Sequence, residues 1–144
     1  MKKPRTYKPC IFTQDYGTYT NEILVMSGIS DKKKVFAYLK KIRANVDFTK
    51  WVLTDFDELR NRLGKTESGL FAWNDKVNGT VLFLKQCSDS WDFWEALMHE
   101  CSHIVHRIAK KKGFLENEVE AQAYLFEYLF RSIRRKLTGL DPLK

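Results

Sequence analysis

Three histidines and a glutamate lie together in one short stretch of the chain. Residues 99–103, His-Glu-Cys-Ser-His, have the pattern HExxH, and His106 follows three residues later. In a helix, His99 and His103 would lie one above the other on the same face. Two imidazoles at that spacing can bind one zinc ion, and a catalytic zinc site typically has three protein ligands and a fourth position for water. Glu100, about a quarter-turn away, could accept a proton from that water, so the pattern predicts hydrolytic zinc chemistry.

The sequence around the motif predicts a helix from about Ser90 to Lys112. Apolar residues recur at i, i+3 and i+4 on the face opposite the histidines. They are Trp94, Leu97, Met98, Cys101, Ile104, Val105 and Ile108. A core face and a separate imidazole face on one helix favour a metal site over the alternative, which is surface histidines on an amphipathic helix. Because Cys101 belongs to the apolar face, we expect it to pack in the core and not to bind metal.

A second helix, predicted from about Glu116 to Leu137, could supply a third ligand. Lys110 to Lys112 and Gly113 are typical of a helix C-terminus. The short turn that follows would make the two helices antiparallel neighbours. The first turns of the second helix would then lie near the last turns of the first.

Three glutamates in this region are candidates for the third ligand. Glu120 is preferred because the small residues Ala121 and Ala123 permit close helix approach. Glu118 is the second choice and Glu116 the third. At least two of the three are expected to be solvated charges that suit a helix N-terminus.

Other side chains near the motif have open roles. Tyr124, one turn after Glu120, could donate a hydrogen bond to the oxyanion of a hydrolytic reaction, or could pack against the first helix with its hydroxyl bonded to a histidine. His106 could contact a substrate or could be a surface histidine. Glu95 and Glu127 could each orient a ligating imidazole, although solvated carboxylates are the alternative.

The motif and the residues after it resemble a known class of enzymes. HECSH followed by E-A-Q-A-Y, 17 residues after the second histidine, resembles a gluzincin, an HExxH zinc metallopeptidase with a glutamate ligand on a later helix. Residues 118–129 are similar to the E-x-E-A-x-x-F-A stretch of ImmA/IrrE-type peptidases, and more similar still to small metallopeptidases encoded in bacteriophage genomes. The resemblance covers about residues 91–131.

The resemblance implies an activity and a set of site residues. It implies a zinc-dependent endopeptidase with one Zn²⁺ per chain, acting on a protein or peptide substrate. The zinc ligands would be His99, His103 and Glu120, and Glu100 would be the general base. If the chain is encoded by a phage, the expected location is the cytoplasm of a bacterial host.

Length and composition are those of one globular domain, residues 1–144, in which residues 1–9 and 139–144 could be tails. The chain is 44% hydrophobic and 14% aromatic, which is enough for a core. It has no long apolar run, so no membrane partner is expected, and the basic start is not followed by the apolar stretch of a signal peptide. Three cysteines at unrelated spacings suit a reducing cytoplasm better than a disulfide scaffold.

The chain is basic, with a formal net charge of +7. That charge permits attraction to nucleic acid or to an acidic protein, but solvated helix faces and C-termini are the preferred explanation and no nucleic-acid motif is present. A zinc-containing binding or regulatory protein without turnover, which could be associated with nucleic acid, is therefore the alternative to a peptidase.

The fold class predicted is α+β, a small twisted sheet of two hairpins packed against helices. The first hairpin pairs Cys10–Thr13 with Tyr19–Met26 around a turn at residues 15–17, and the second pairs Gly69–Trp73 with Thr80–Leu84. Between the hairpins, helices are predicted at Lys32–Ala44 and Asp55–Leu63, while Asn45–Trp51 could be extended. A substrate could add as a strand to an exposed sheet edge, for which the Thr80–Leu84 strand or its partner is the candidate.

Overall fold

The computed structural model describes residues 3–16, 19–63, 69–113 and 118–139. Over these ranges the chain has four strands and four helices, and the predicted α+β class is confirmed. In chain order the elements are β1 (Cys10–Tyr16), β2 (Tyr19–Ser27), α1 (Lys32–Lys41), α2 (Val46–Arg62), β3 (Gly69–Asn74), β4 (Gly79–Leu84), α3 (Trp91–Lys112) and α4 (Val119–Leu137).

The described strands form one mixed sheet in the order β1-β2-β4-β3. Both predicted hairpins are confirmed, because β1 pairs with β2 and β3 with β4 in antiparallel fashion. The hairpins are joined by a parallel pairing of β2 with β4, which aligns Leu24 with Val81 and Ser27 with Leu84. β4 is therefore inside the sheet. Of the two strands expected to offer an edge to a substrate, Thr80–Leu84 is excluded by this pairing, and its partner β3 is at the edge of the sheet that the described strands form.

Helices cover both faces of the sheet. Alternate residues of the two central strands point to opposite faces, as the strand period of two requires. The residues packed with α3 and α4 are Ile23, Val25, Leu82 and Leu84. The residues packed with α1 and α2 are Leu24, Met26, Val81 and Phe83. This first cluster includes Leu97, Cys101 and Ile104 of α3.

The first helix is shorter than its sequence predicts. α1 begins at Lys32 because the Asp31 side chain caps it, accepting a hydrogen bond from the Lys33 N–H at 2.9 Å. The predicted end at Ala44 is wrong, since α1 ends at Lys41 and Arg43 then has a left-handed φ of 55°. Its apolar face is correspondingly narrow: Val35 and Leu39 are buried, whereas Phe36 and Ile42 are largely exposed.

The second helix is longer than its sequence predicts. α2 begins at Val46 and not near Asp55, so an extended conformation for Asn45–Trp51 is wrong. The Asn45 side chain caps it by accepting hydrogen bonds from the N–H groups of Asp47 and Phe48. The predicted stop at Gly64 lies outside the described residues.

The two C-terminal helices agree closely with their predicted bounds. Ser90 caps α3 by accepting from the Phe93 N–H at 3.2 Å, and Gly113 follows its last residue with a left-handed φ of 74°. α4 begins at Val119, slightly later than predicted, and ends at Leu137 as predicted. Glu116, the predicted start of this helix, lies outside the described residues.

The segment before β1 is bonded to the loop that leads into α3. The Tyr7 N–H donates to the Cys87 carbonyl at 2.9 Å, and the Asp89 N–H donates to the Arg5 carbonyl at 2.8 Å. Residues 3–9, expected to be a tail or an edge segment, are therefore bonded to the loop that precedes the helix that carries the histidines.

No helix in the described part of the chain is both long enough and apolar enough to cross a membrane.

Candidate metal centre and cleft

His99 and His103 are exposed on α3, and their ring nitrogens converge. The two Nε2 atoms are 3.0 Å apart, and the rings are nearly perpendicular with centroids 4.5 Å apart. Two nitrogens that each lie about 2.0–2.1 Å from a tetrahedral zinc ion are about 3.3 Å from each other. The pair therefore fits zinc after a shift of a few tenths of an ångström. Without metal, the same distance suits an N–H···N hydrogen bond whose donor depends on the tautomer.

Glu100 is buried between α3 and β3, with 8% of its surface exposed. It lies against Gly69, the first residue of β3. A Cβ atom at Gly69 would be 3.0 Å from Glu100 Cγ and 3.1 Å from Leu84 Cδ2. A side chain at this position would therefore press on Glu100, the residue expected to act as a base, which would have to move by a few tenths of an ångström. The sequence carried a weak signal of this contact, since a glycine within a strand often marks a close approach.

Gly69→Ala is expected to lower the free energy of unfolding by about 1–3 kcal/mol, because the added methyl overpacks the contact with Glu100. Chemical denaturation of the single and double variants measures the effect. In a Glu100→Ala background the cost of Gly69→Ala should become smaller, because the Cγ and carboxylate of residue 100 are gone. Equal costs in the two backgrounds would show that Gly69 and Glu100 do not compete for space.

The histidines and Glu100 line one cleft of about 740 Å³. Its walls are the exposed side of α3, the edge strand β3 and the end of α2. The lining residues are Arg62, Gly69, Leu70, Phe71, Trp73, Asp92, Glu95, Ala96, His99, Glu100 and His103. The volume is within the range of about 300–1,000 Å³ that is usual for ligand sites. Arg62 and the β3 aromatics were not predicted as site residues, because they are distant from HExxH in sequence.

No family model, curated protein or solved structure matches the chain.

The predicted residues of α4 do not line the cleft. Glu118, Glu120 and Tyr124 are exposed, with 65% of the Tyr124 surface accessible. Tyr124 is one turn before Tyr128, whose hydroxyl donates to Asp15 of β1. Tyr124 therefore follows the flank of α4 that faces β1, whereas another flank contacts α3. Among the described residues, no three His, Cys, Asp or Glu side chains are grouped closely enough to hold a metal.

The remaining candidates near the motif have distinct surroundings. Glu95 lines the cleft one turn before His99. His106 is exposed and is not among the cleft residues. Glu127 accepts a hydrogen bond from Arg131 at 3.1 Å, one turn along α4. Of the two carboxylates predicted to orient an imidazole, Glu95 is thus the one positioned at the cleft.

Cys101 lies in the core, as its place on the apolar face of α3 predicts. The side chain has no exposed surface. Burial, with a smaller contribution from the negative charge of Glu100, raises the pKa of the Cys101 thiol to about 12. The thiol is therefore protonated at neutral pH.

Proposed function

We propose that the chain is a zinc-dependent peptidase that hydrolyses peptide bonds in protein or peptide substrates. The observation that carries the proposal is the convergence of the His99 and His103 Nε2 atoms to 3.0 Å, in a cleft that Glu100 also lines. A site with a purely structural role has no need of a carboxylate beside the two imidazoles. Exposed imidazoles at the mouth of a cleft also leave room for a substrate.

Glu120 is our candidate for the third ligand, and its level along the helix pair supports this choice. Trp94, in the first turn of α3, packs edge-on against Phe130, and Arg134 lies over the Trp94 ring. The early part of α3 thus meets the late part of α4, as in an antiparallel pair. His103 is nine residues after Trp94, and Ala121 is nine residues before Phe130. Glu120 is therefore at about the same level as His103.

Binding by Glu120 requires a change in its surroundings. Its side chain is exposed, and the three-residue group that would hold a metal is not formed within the described part of the chain. A side-chain rotation together with a turn of the first residues of α4 would be needed. Because α4 begins with no side-chain cap at Glu118, its first turn lacks one of the usual stabilising contacts of a helix N-terminus. That end of α4 is the part of the helix most easily rearranged on metal binding.

The reaction proposed is addition of water to the scissile carbonyl. Zinc, when bound, supplies a Lewis acid for the carbonyl oxygen and lowers the pKa of its water to about 7. Glu100 takes one proton from the attacking water as the new C–O bond forms. It returns that proton to the amide nitrogen as the C–N bond breaks, so that the products are a carboxylic acid and an amine. Tyr124 is the candidate that the sequence offers as hydrogen-bond donor to the oxyanion, but it does not line the cleft. Arg62 does line the cleft and is a cationic side chain there.

The edge strand β3 gives a physical reason for a peptide substrate. Alternate N–H and C=O groups of an edge strand have no partner strand on their outer side. An extended peptide can pair with them, and the main-chain hydrogen bonds give affinity without depending on side chains. Because β3 runs beside Glu100 and lines the cleft with the histidines, a peptide paired there would lie next to the zinc ligands.

Chelation is expected to abolish hydrolysis, and zinc is expected to restore it. The test is cleavage of a quenched-fluorescent peptide library by the purified chain, before and after treatment with 1,10-phenanthroline and after addition of one equivalent of Zn²⁺. Magnesium at the same concentration is the control, since a hard cation prefers oxygen ligands to imidazole. Cleavage that survives complete metal removal would rule out the proposed mechanism.

A further inference from the structure

Arg107 links α3 to the hairpin that forms one wall of the cleft. It is one turn after His103 and is mostly buried as a side chain, with 22% exposed. Its guanidinium lies over the Trp73 ring, 4.7 Å from the centroid, and its Nη2 donates to the Asp75 carboxylate in the β3–β4 turn. Lys111, one further turn along α3, donates to Asn78 in the same turn at 3.1 Å. Two turns of α3 thus bind the tip of the hairpin.

The ion pair persists across the pH range in which a peptidase would work. The hydrogen bond from Arg107 lowers the pKa of Asp75 below its ordinary value, with smaller contributions from the charges of Arg107 and Lys111. A lowered carboxylate pKa means that the interaction is present above the ordinary pKa of aspartate, about 3.9, and is lost only as the pH falls below that range.

Trp73 is an exposed apolar surface inside the cleft. The Trp73 side chain has 48% of its surface accessible. The Phe71 ring lies beside it, with the two ring centroids 5.4 Å apart, and is partly buried. Because Phe71 and Trp73 are two residues apart on β3, both side chains face α3. We name this pair the aromatic wall. The aromatic wall is at the end of the cleft near His103. Asp92 is at the opposite end, because it lies 15 residues before Arg107 and thus roughly 22 Å away along the helix.

We propose that Arg107 and Asp75 position Trp73, and that the aromatic wall binds a large apolar side chain of the peptide beside the bond to be cleaved. This inference rests on the proposed peptidase function and names its substrate class. An indole whose one face is covered by a guanidinium still offers its other face and edge to a second apolar group. Apolar and aromatic anchors in a cleft give most of the affinity at an interface.

Peptide binding to the full chain carrying Glu100→Gln tests the inference without relying on turnover. The probes are fluorescein-labelled alanine-based hexapeptides with a central Phe, Leu, Ala or Lys, and the Kd of each is measured by fluorescence anisotropy with zinc present. We expect the Phe and Leu peptides to bind about tenfold more tightly than the Ala peptide. Adding Trp73→Ala should remove this preference. Trp91→Ala is the matched control, because Trp91 is an exposed tryptophan on α3 that does not line the cleft.

The role of Arg107 has its own variants. Arg107→Ala should reduce the preference for Phe over Ala severalfold, and Arg107→Lys should restore it only in part, because lysine can pair with Asp75 but has no planar group to stack on the indole. Arg131→Ala is the control, since Arg131 also forms a surface ion pair but lies on α4. An unchanged preference in Arg107→Ala would overturn the positioning role. If Trp73→Ala fails to fold by circular dichroism, Trp73→Thr, which suits an edge strand, replaces it.

The outcomes separate this inference from the proposed function. A Phe preference that depends on Trp73, in a chain whose wild type cleaves no peptide, would support the aromatic wall and refute the peptidase. Cleavage by the wild type, with equal binding of the Phe and Ala peptides, would support the peptidase and refute the aromatic wall. Tightest binding of the Lys peptide, no measurable binding of any peptide, or a preference that survives Trp73→Ala would each overturn the inference.

Discussion

Glu100→Gln is expected to reduce kcat for peptide hydrolysis by about 10²–10⁴-fold while the chain keeps its zinc. Glutamine has nearly the shape of glutamate but cannot take the proton from the attacking water. The fold should tolerate the change, because the side chain keeps its size in the tight space beside Gly69. Initial-rate measurements on a cleaved library peptide give the activity, and elemental analysis of the same sample gives the zinc content.

Glu95→Gln is the matched control for this variant. It makes the same chemical change in a residue that lines the same cleft on the same helix, one turn before His99. Its effect on kcat should be at most about 10–100-fold and smaller than that of Glu100→Gln, because a carboxylate that orients a ligating imidazole does not transfer the proton. If the two variants lost activity equally, negative charge in the cleft would be the requirement, and the assignment of Glu100 as the base would be wrong. Full activity in Glu100→Gln would contradict the mechanism directly.

The elements nearest the motif could be predicted because their signals are local. Ser90 and Gly113 act on the backbone within a few residues, so the bounds of α3 follow from cap chemistry and from one apolar face. The Asn78-Gly79 turn of the second hairpin is equally local, and Asn78 does adopt a left-handed φ of 49°. The nearness of His99 and His103 could be predicted from the helical period alone, because residues four apart lie on the same face of a helix.

The start of α2 was missed although its signal was also local. Asn45 is a good cap residue, and the apolar residues Phe48, Val52 and Phe56 recur at a spacing of four, which is the helical spacing. The alternation of Val46, Phe48 and Trp51 is also compatible with an extended segment, which left this region ambiguous. Packing of α2 against the sheet overrides that preference, since Val52 and Phe56 are almost fully buried there.

Features that depend on distant contacts could not be read from the sequence. The parallel pairing of β2 with β4 joins residues more than fifty positions apart, from Leu24 to Val81, and no local pattern specifies it. That pairing decides which strand is the edge beside the histidines. The direction in which Glu120 and Tyr124 point is likewise set by how α4 rotates against β1 and α3, for example through the bond from Tyr128 to Asp15. The periodicity of a sequence shows which residues share a face of a helix, but it does not show which element that face packs against.

His103→Ala is expected to remove the zinc, because it deletes one of the two imidazoles of the proposed site. The wild-type chain should contain about one zinc per chain, and its affinity should fall by more than about 100-fold in the variant, because even a residue that only orients a ligand contributes about 10–100-fold. Equilibrium dialysis followed by elemental analysis measures both. His106→Ala is the control, since His106 is an exposed histidine on the same helix that does not line the cleft.

Glu120→Ala in the same experiment decides the third ligand. A loss of affinity as large as that of His103→Ala would assign Glu120 and would imply that the start of α4 turns toward α3 when metal binds. Zinc retained in full would move the third ligand to Glu118 or Glu116, each of which has its own alanine variant. A wild-type chain that binds no zinc even after reconstitution would mean that the 3.0 Å contact between the imidazoles is only a hydrogen bond. The peptidase would then be excluded, because the proposed mechanism needs a metal ion to polarise the scissile carbonyl.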